Sequence, residues 1–473
     1  MAGRKALSGA RGIGHRPELA ADLLSAPSSV DFVEVVAETC FAEGSARREA
    51  VALARMWPVV PHGVKLSLGS AEGIELEKAQ RLGALARDLN APVVTEHVAL
   101  TKAAGREIGH LTPVPRCAEV VRAVARNTSR ARSALPDVPF LLENIATPFA
   151  HPGDVMSEPD FYSEIVGATG CDLLLDVANL YANAINAHAD PIAMARAFPL
   201  DHVGMVHIAG GVFEDEFYFD THAHAVPDAV FDILAVVFEV RPDVPIVLER
   251  DAHFGDGLAP LVAEIDRAHA LRGSRAGAGE MAPRAPIEPR AGDRYGGNPA
   301  RLASDQSELA RLLTESDPGP SDLAGAVGSQ GLGRARNILQ RKRVDDALPL
   351  LPRLGRRATE VRALAERVVA SSPRGPSMQA VLDAVAIAEA ATNERRLSAD
   401  AIRDRLTMHA RFAIPRPADV ARGAAPSVRR GPYVARTTTE SGSVVWAVKG
   451  FGSLAKVFLR EGAKRAEPAE AKR

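Results

Sequence analysis

Short apolar runs recur through the first 275 residues, each followed by a polar junction and a helical stretch. The runs are DFVEVVAE (31–38), WPVVPHGVKLSL (57–68), APVVTEHVAL (91–100), VPFLLENIA (138–146), CDLLLDVANLY (171–181), HVGMVHIAG (202–210) and VPIVLERD (244–251), with ARGIGHR (10–16) as a shorter opening candidate. Apolar strands separated by helices are what a parallel sheet covered on both faces requires. Eight such units in about 260 residues predict an α/β fold, a TIM (β/α)8 barrel. An open doubly wound sheet is the rival, but no glycine-rich phosphate loop follows an early strand, and GIGHRP is not GxGxxG. The intervening helices are amphipathic: IELEKAQRLGALARDL (74–89) sets Leu76, Ala79, Leu82, Leu85 and Ala86 on one face. The segment GVFEDEFYFDTHAHAV (211–226) shows neither period. A long loop after a barrel strand lies on the face where barrel enzymes keep their chemistry.

Beyond residue 275 the pattern changes. Residues 276–300 are rich in Gly, Pro, Ala and Arg and read as a linker after a barrel domain at 1–275. A mainly α-helical domain is expected over 301–415, from SELARLL, RARNILQRK, ATEVRALAERVVA, MQAVLDAVAIAEAAT and SADAIRDRLTMHARF, with Ser398 as the N-cap of the last helix. Residues 416–473 open as a Pro/Arg-rich segment, and 443–465 could form an amphipathic C-terminal helix that docks on its own domain or meets a partner.

Composition narrows the classes. Lys+Arg is 57 against 59 for Asp+Glu, a net charge of −2, so charge balance offers no argument for a nucleic-acid or anionic-membrane partner. The three cysteines Cys40, Cys117 and Cys171 are scattered and build neither a disulfide framework nor a CxxC knuckle, as expected in a reducing cytoplasm. The first fourteen residues lack the apolar core of a secretory signal, and no apolar run reaches the roughly 20 residues of a membrane helix.

Residues able to bind metal gather at the ends of the proposed strands. His62 lies in VVPHGVK, Glu96 and His97 close PVVTEH, and Glu143 and Asn144 close FLLEN. Asp176 and Asn179 end LLLDVAN, His207 ends GMVH, Asp220 and His222 follow in the loop, and Glu249 ends IVLE. A barrel brings its strand ends to one mouth. Ionisable groups placed after apolar runs are costly to desolvate unless they are paired or hold a cation. Singly, His62 or His97 could be a hydrogen-bonded barrel residue, Glu143 or Glu249 a partner for Arg250 or Lys65, and Glu96 an ion-pair residue. Together, with no cysteine among them, they point to a multi-ion site rather than a closed structural zinc site, with Fe, Mn or Zn all suited to the ligand types.

The ordered motifs PHGVKLSLG (61–69), TEHVAL (95–100), LLENIA (141–146), LLLDVANLYANAIN (173–186), VHIAGG (206–211), DTH (220–222) and LERD (248–251) give residues 10–270 a resemblance to the multinuclear non-haem iron-dependent oxidases, the domain-of-unknown-function 692 family typified by the methanobactin-biosynthesis oxidase. The resemblance implies a TIM barrel holding two or three irons. It implies metal ligation by His62, His97, Glu143, Asp176, Asn179, His207, Asp220, His222 and Glu249, with Glu143 bridging and Glu143, Asp220 and His222 at the catalytic centre. It further implies O2 as co-substrate, a cysteine-containing precursor peptide as substrate, and a peptide-presenting partner protein, for which residues 301–473 could be a fused equivalent. One departure stands out. Where the family usually continues DTH with an acidic residue and Pro-Val, this chain has Ala223, His224, Ala225 and Val226, which leaves His224 as a candidate replacement ligand. Two other readings compete: a zinc or manganese barrel of the sugar-isomerase or endonuclease type, and a non-catalytic metal-binding scaffold with a partner-binding helical domain.

Overall fold

The computed structural model describes residues 7–273, 294–372, 378–394, 396–439 and 443–450, and the backbone of 456–460. Eight parallel strands close into a ring: β1 Arg11–Gly14, β2 Phe32–Val36, β3 Val59–Gly63, β4 Val94–His97, β5 Phe140–Glu143, β6 Leu173–Asp176, β7 Val203–Ile208 and β8 Ile246–Leu248. Each pairs with its sequence neighbour, and β8 closes the ring on β1 through Arg11 opposite Ile246. This is the expected barrel, with every expected run supplying a strand. The runs at 57–68 and 171–181 are shortened, because Leu66 and Leu68 belong to a loop and Val177–Asn186 is already helix.

Alternation along the strands explains how the barrel carries a polar centre. Phe32, Val60, Val93, Leu141, Leu174, Met205 and Val247 form one buried apolar cluster. In a strand, residues two apart share a face. The residues two positions beyond the cluster are Glu34, His62, Thr95, Glu143, Asp176, His207 and Glu249, and His97 follows Thr95 at the same parity. An apolar floor therefore lies beneath a polar storey. The ring of Phe32 fills the axis so closely that a Cβ on Gly12 would lie 2.4 Å from it.

Two antiparallel hairpins decorate the barrel. One pairs Leu100–Ala103 with Arg106–Thr112; the other pairs Val212–Glu214 with Phe217–Phe219, inside the segment that showed no period. Their turns run through Ala104-Gly105 and Asp215-Glu216, all four at positive φ, the backbone that two-residue hairpins favour. Asp-Glu is not the Asn-Gly or Asp-Gly that usually signals such a turn, so the second hairpin left no mark in the sequence.

Chain beyond the expected boundary at 275 also belongs to the barrel unit, which comprises Met1–Ala310 and Asp322–Gly331. Of the expected linker, 276–293 lie outside the described residues, but 294–300 are anchored. Tyr295 is 1% exposed, and its ring fits against Gly153, where a Cβ would lie 2.4 Å away. In the helix Pro299–Thr314, the Gln306 amide donates to the Gly69 carbonyl at 2.8 Å and accepts from the Ala71 amide at 2.8 Å. These contacts strap together the loops that follow β3 and β5.

The second unit, Arg311–Ser321 and Leu332–Arg473, is mainly helical. Helices Ala358–Ser371, Gln379–Ala391 and Ser398–Arg411 surround Val361, Ala365, Val385, Ala388 and Met408. Buried Arg343 donates to Asp383 and Arg353 to Asp404. Ser398 is the first residue of its helix and is buried; it makes no side-chain cap. The helix expected over 443–465 is corrected. Val444–Lys449 is the central strand of an antiparallel sheet, between Tyr433–Thr438 and Lys456–Arg460. Val445 and Ala447 pack with Ile402 and Leu406, whereas Trp446 and Val448 are exposed, which is a period of two in a β-branched run. Among the described residues no helix is long and apolar enough to cross a membrane.

Emptying the Tyr295 notch tests the strap. Tyr295→Ala in the full chain is expected to cost the barrel about 3–5 kcal/mol in urea unfolding, the usual range for deleting a buried large aromatic. Phe213→Ala, at an exposed hairpin position, should stay within about 0.5 kcal/mol.

Candidate metal centre

Parallel register sets the centre's residues at matching heights. His97 lies opposite Glu143 across β4 and β5, and Asp176 opposite His207 across β6 and β7. Among the described residues, three groups could each hold a metal ion: His62, His97 and Glu143; Glu143, Asp176, His207 and Glu249; and Asp176, Asp220 and His222. Glu143 belongs to the first two groups and Asp176 to the last two, so the three candidate positions form a chain. Eight of the nine residues expected from the sequence are thus brought together.

Glu143 is the hub. Its Oε2 lies 3.2 Å from His97 Nε2 and 3.5 Å from His62 Nε2, and its Oε1 lies 3.2 Å from His207 Nδ1. Glu249 Oε2 approaches His207 Nδ1 at 3.4 Å and His222 Nδ1 at 3.0 Å. His222 Nε2 meets Asp220 Oδ2 at 2.8 Å.

Asp176 divides its carboxylate between two tasks. Oδ1 caps the helix Val177–Asn186, accepting the Ala178 and Asn179 amides at 2.7 and 2.8 Å, and Oδ2 faces His222 at 3.8 Å. Asn179, the ninth expected residue, stands on that helix, 7% exposed. Its Nδ2 donates to the Asn144 carbonyl at 3.1 Å, which leaves Oδ1 as the side-chain atom a cation could take. Asn144 is spent on the backbone of Asp176, donating at 2.9 Å and accepting at 2.8 Å.

The chemistry of these donors fits cations. Glu143 Oε2, Asp176 Oδ2, His207 Nδ1 and Asp220 Oδ1 are buried without a hydrogen-bond partner. Nitrogen and oxygen atoms 3.2–3.5 Å apart that still lack hydrogen-bond geometry are not satisfying one another. Leaving such groups dry and unpaired is expensive, and a shared positive ion removes the cost.

Electrostatics agree. Burial, and then the Asp220 carboxylate, push Asp176 up to about 8. Burial works to lower His97, but Glu143 and Glu96 override it and leave the ring at about 9. Glu249 is held well below the usual carboxylate range despite burial, because His207 and His222 flank it. The pocket therefore carries excess negative charge, which protons or metal ions must balance.

The loop carrying Asp220 and His222 is tightly held. His222 has φ +51°, and its carbonyl accepts the Asp251 amide at 2.6 Å. A Cβ on Gly210 would collide with the Ala225 carbonyl oxygen at 2.1 Å, so glycine there lets the loop fold back. His224 joins none of the three groups; its Nδ1 meets Thr221 Oγ1 at 3.1 Å, and its ring contacts His253. Glu96 accepts the Leu66 amide at 3.0 Å and the His97 amide at 2.9 Å, and its Oε1 lies 3.9 Å from His97 Nδ1. Arg250 pairs with Glu264 rather than with the centre. Sequence reasoning missed Glu34, buried beside His207. Its signal was a charge inside DFVEVV at inward parity, in mid-strand rather than at a strand end.

The profile of the RiPP precursor modification enzymes MbnB/TglH/ChrH matches residues 10–272, more than half of the 473 residues. The chain belongs to this family. It is 40% identical over 251 residues to a UPF0276 protein of Streptomyces avermitilis, a match that covers 51% of each chain, so it spans about half the length of that relative. A UPF0276 protein of Caulobacter vibrioides is 36% identical over 264 residues, covering 55% of this chain and 92% of the relative. Solved structures with some likeness to the chain include a xylose isomerase domain protein from Planctomyces limnophilus (14% identity, TM-score 0.39, 55% of this chain and 96% of that one) and endonuclease IV from Thermus thermophilus (17% identity, TM-score 0.39, 55% and 99%). The family is one of RiPP precursor modification enzymes, and eight of the nine expected residues fall in the three candidate groups.

Just outside the centre, Glu158 is a buried carboxyl that burial pushes up to about 7, with Arg116 opposing. Both its oxygens accept from Asn183 Nδ2, at 3.1 and 3.0 Å. A carboxyl raised in the folded state contributes stability below its unfolded value near 4.5, and that contribution fades as pH rises through about 7. Glu158→Gln should therefore gain on the wild type by on the order of 3 kcal/mol between pH 4 and pH 8. Denaturant midpoints for both proteins at the two pH values check this, and a parallel pH dependence refutes it.

Proposed function

We propose that this protein is an iron- and O2-dependent oxidase that modifies cysteine residues of a ribosomally made precursor peptide. The observation that carries the reading is the run of three ligand groups linked through Glu143 and Asp176 in a single barrel mouth. In this reading His62, His97 and Glu143 hold one ion. Glu143, Asp176, His207 and Glu249 hold the second, and Asp176, Asp220, His222 and the Asn179 amide oxygen hold the third. Histidine, carboxylate and amide ligands without cysteine leave positions open for a substrate thiol and for O2, as non-haem iron sites of this ligand type do.

Bound iron supplies Lewis acidity toward a cysteine thiol and electrons toward O2. The chain's own residues do the rest. His62, His97 and His207 are 3%, 6% and 0% exposed, so water reaches them little from the barrel side. Asp220 holds His222 Nε2 at 2.8 Å and fixes the orientation of the ring in the third group. The hairpin Val212–Phe219 brings Phe213, 55% exposed, and the contacting rings of Phe217 and Phe219 to the same stretch of chain as Asp220, an apolar rim for a peptide. A peptide-presenting partner, or the second unit in its place, would then deliver the cysteine.

The test is elemental analysis of the purified full chain, followed by aerobic incubation with a cysteine-bearing peptide encoded beside its gene. Two or three irons per chain and a mass change in the peptide are expected. Glu143→Ala should lose at least one iron and, at minimum, about 100-fold in turnover, since it removes a ligand from two groups at once. No iron and no mass change would overturn the reading. Stoichiometric zinc or manganese without iron would favour a barrel of the isomerase or endonuclease type.

A further inference from the structure

We infer that Glu34 is a positioning residue of the metal centre: its carboxylate accepts a hydrogen bond from the Nε2–H of His207, so that His207 would bind its ion through Nδ1. The inference rests on the centre proposed above, and it concerns a residue outside the nine ligands.

The evidence is geometric. Glu34 stands on β2 two positions after Phe32, at the parity that faces the barrel axis, and is 2% exposed. Its Oε2 makes a hydrogen bond to His207 Nε2 at 3.3 Å, and Oε1 lies 3.1 Å from the same nitrogen. His207 is wholly buried. Its other nitrogen, Nδ1, lies within 3.2 Å of Glu143 Oε1 and 3.4 Å of Glu249 Oε2, but hydrogen-bonds to neither. One face of the ring is thus committed to a carboxylate and the opposite face is turned to the second ligand group. Arg16, a cation whose charge is felt by Glu34, spends its guanidinium on Asp251 and on the His15 carbonyl. In this pairing the ring donates from Nε2 to the carboxylate oxygen, which leaves Nδ1 as the atom turned to the ligand group.

The other two histidines of the storey are set the opposite way round. His97 Nδ1 faces the Gly63 carbonyl at 3.2 Å, and His62 Nδ1 faces Thr95 Oγ1 at 2.7 Å, so both turn Nε2 toward Glu143. Behind His62 the partner is a hydroxyl, and behind His97 the Glu96 carboxylate stands off at 3.9 Å, whereas Glu34 Oε1 lies 3.1 Å from His207 Nε2. A carboxylate behind a ligating imidazole fixes its orientation and makes it a stronger donor. Glu34 therefore strengthens His207 as a donor to the second group. This asymmetry comes from β2, a strand that contributes no ligand.

Cobalt(II) is a suitable probe because its ring N–H resonances are shifted far from the rest of the spectrum. The full chain, Glu34→Gln and Glu34→Ala are titrated with Co(II) against a competing chelator, and the solvent-exchangeable ring N–H signals are recorded by proton NMR. One ion should bind about 10–100-fold more weakly in Glu34→Ala, with Glu34→Gln between it and the wild type. One exchangeable signal, assigned by its loss in His207→Ala, should shift in Glu34→Gln while the His97 signal stays in place. If both variants bind every ion as the wild type does, or if the His207 signal is unmoved, the inference fails while the centre stands. Failure of the wild-type chain to take any Co(II) overturns the centre and the inference together. Glu34→Gln is nearly isosteric, so the test survives even if the alanine variant does not fold.

Discussion

Closing eight parallel strands into a ring turns alternate side chains toward one axis, and that is where this chain places its charge. Phe32, Val60, Leu141, Leu174, Met205 and Val247 fill the floor, and the next inward position on each of those strands is Glu34, His62, Glu143, Asp176, His207 or Glu249. No water-filled escape is open to a fully buried carboxylate such as Asp176 at 0% exposure. The desolvation cost must be met inside the storey, by imidazolium, by a retained proton or by metal. The raised Asp176 and His97 and the depressed Glu249 are three responses to that one constraint. Position in the register decides which response each group makes.

Much of this was legible in the sequence because a barrel strand is short and its end is marked by the switch from apolar to polar residues. LLLD, GMVH and IVLE each carry the floor residue and the site residue two positions apart, so finding the strand also finds the site. Glu34 escaped because it lies inside its apolar run, and a reading keyed to strand ends passes over it. The strand-to-helix junction at Asp176 escaped for a different reason. One carboxylate caps a helix with Oδ1 and faces the centre with Oδ2, and nothing in a linear string separates the two roles.

What the sequence concealed was mostly local backbone. Hairpin turns at Ala104-Gly105 and Asp215-Glu216 rely on left-handed residues that, except for Gly105, give no compositional sign. In the second unit, SVVWAVKG carries both an apolar-basic character that suits an amphipathic helix and the alternation that suits a strand. The strand wins because Val445 and Ala447 find Ile402 and Leu406 to cover them, a contact made by residues about forty positions away. The residues from 294 onward were misassigned for the same reason. A Gly/Pro/Arg-rich stretch looks like linker until Tyr295 is seen filling the gap above Gly153.

The loop after β7 shows how backbone strain and charge are coupled at the mouth. His222 sits at φ +51°, a conformation that costs a residue with a Cβ, and it is held there by the Asp251 amide and by the close passage of the loop over Gly210. The strain brings Nε2 onto Asp220 and Nδ1 onto Glu249, linking a loop carboxylate to one that ends β8. A relaxed extended residue at that position would turn the imidazole away from one of the two. Ala223–Val226 then lead into the helix Asp228–Val240 with no acidic side chain of their own, so between the hairpin and that helix Asp220 is the one carboxylate. That leaves the outermost of the three groups with two carboxylates and one imidazole, against one carboxylate and two imidazoles in the innermost. The nitrogen-rich group is therefore the one on the His62 side, and carboxylates outnumber imidazoles in the other two, three to one in the middle group. Softer donors, a thiolate included, are best matched to the nitrogen-rich end, and hard oxygen donors to the carboxylate-rich one.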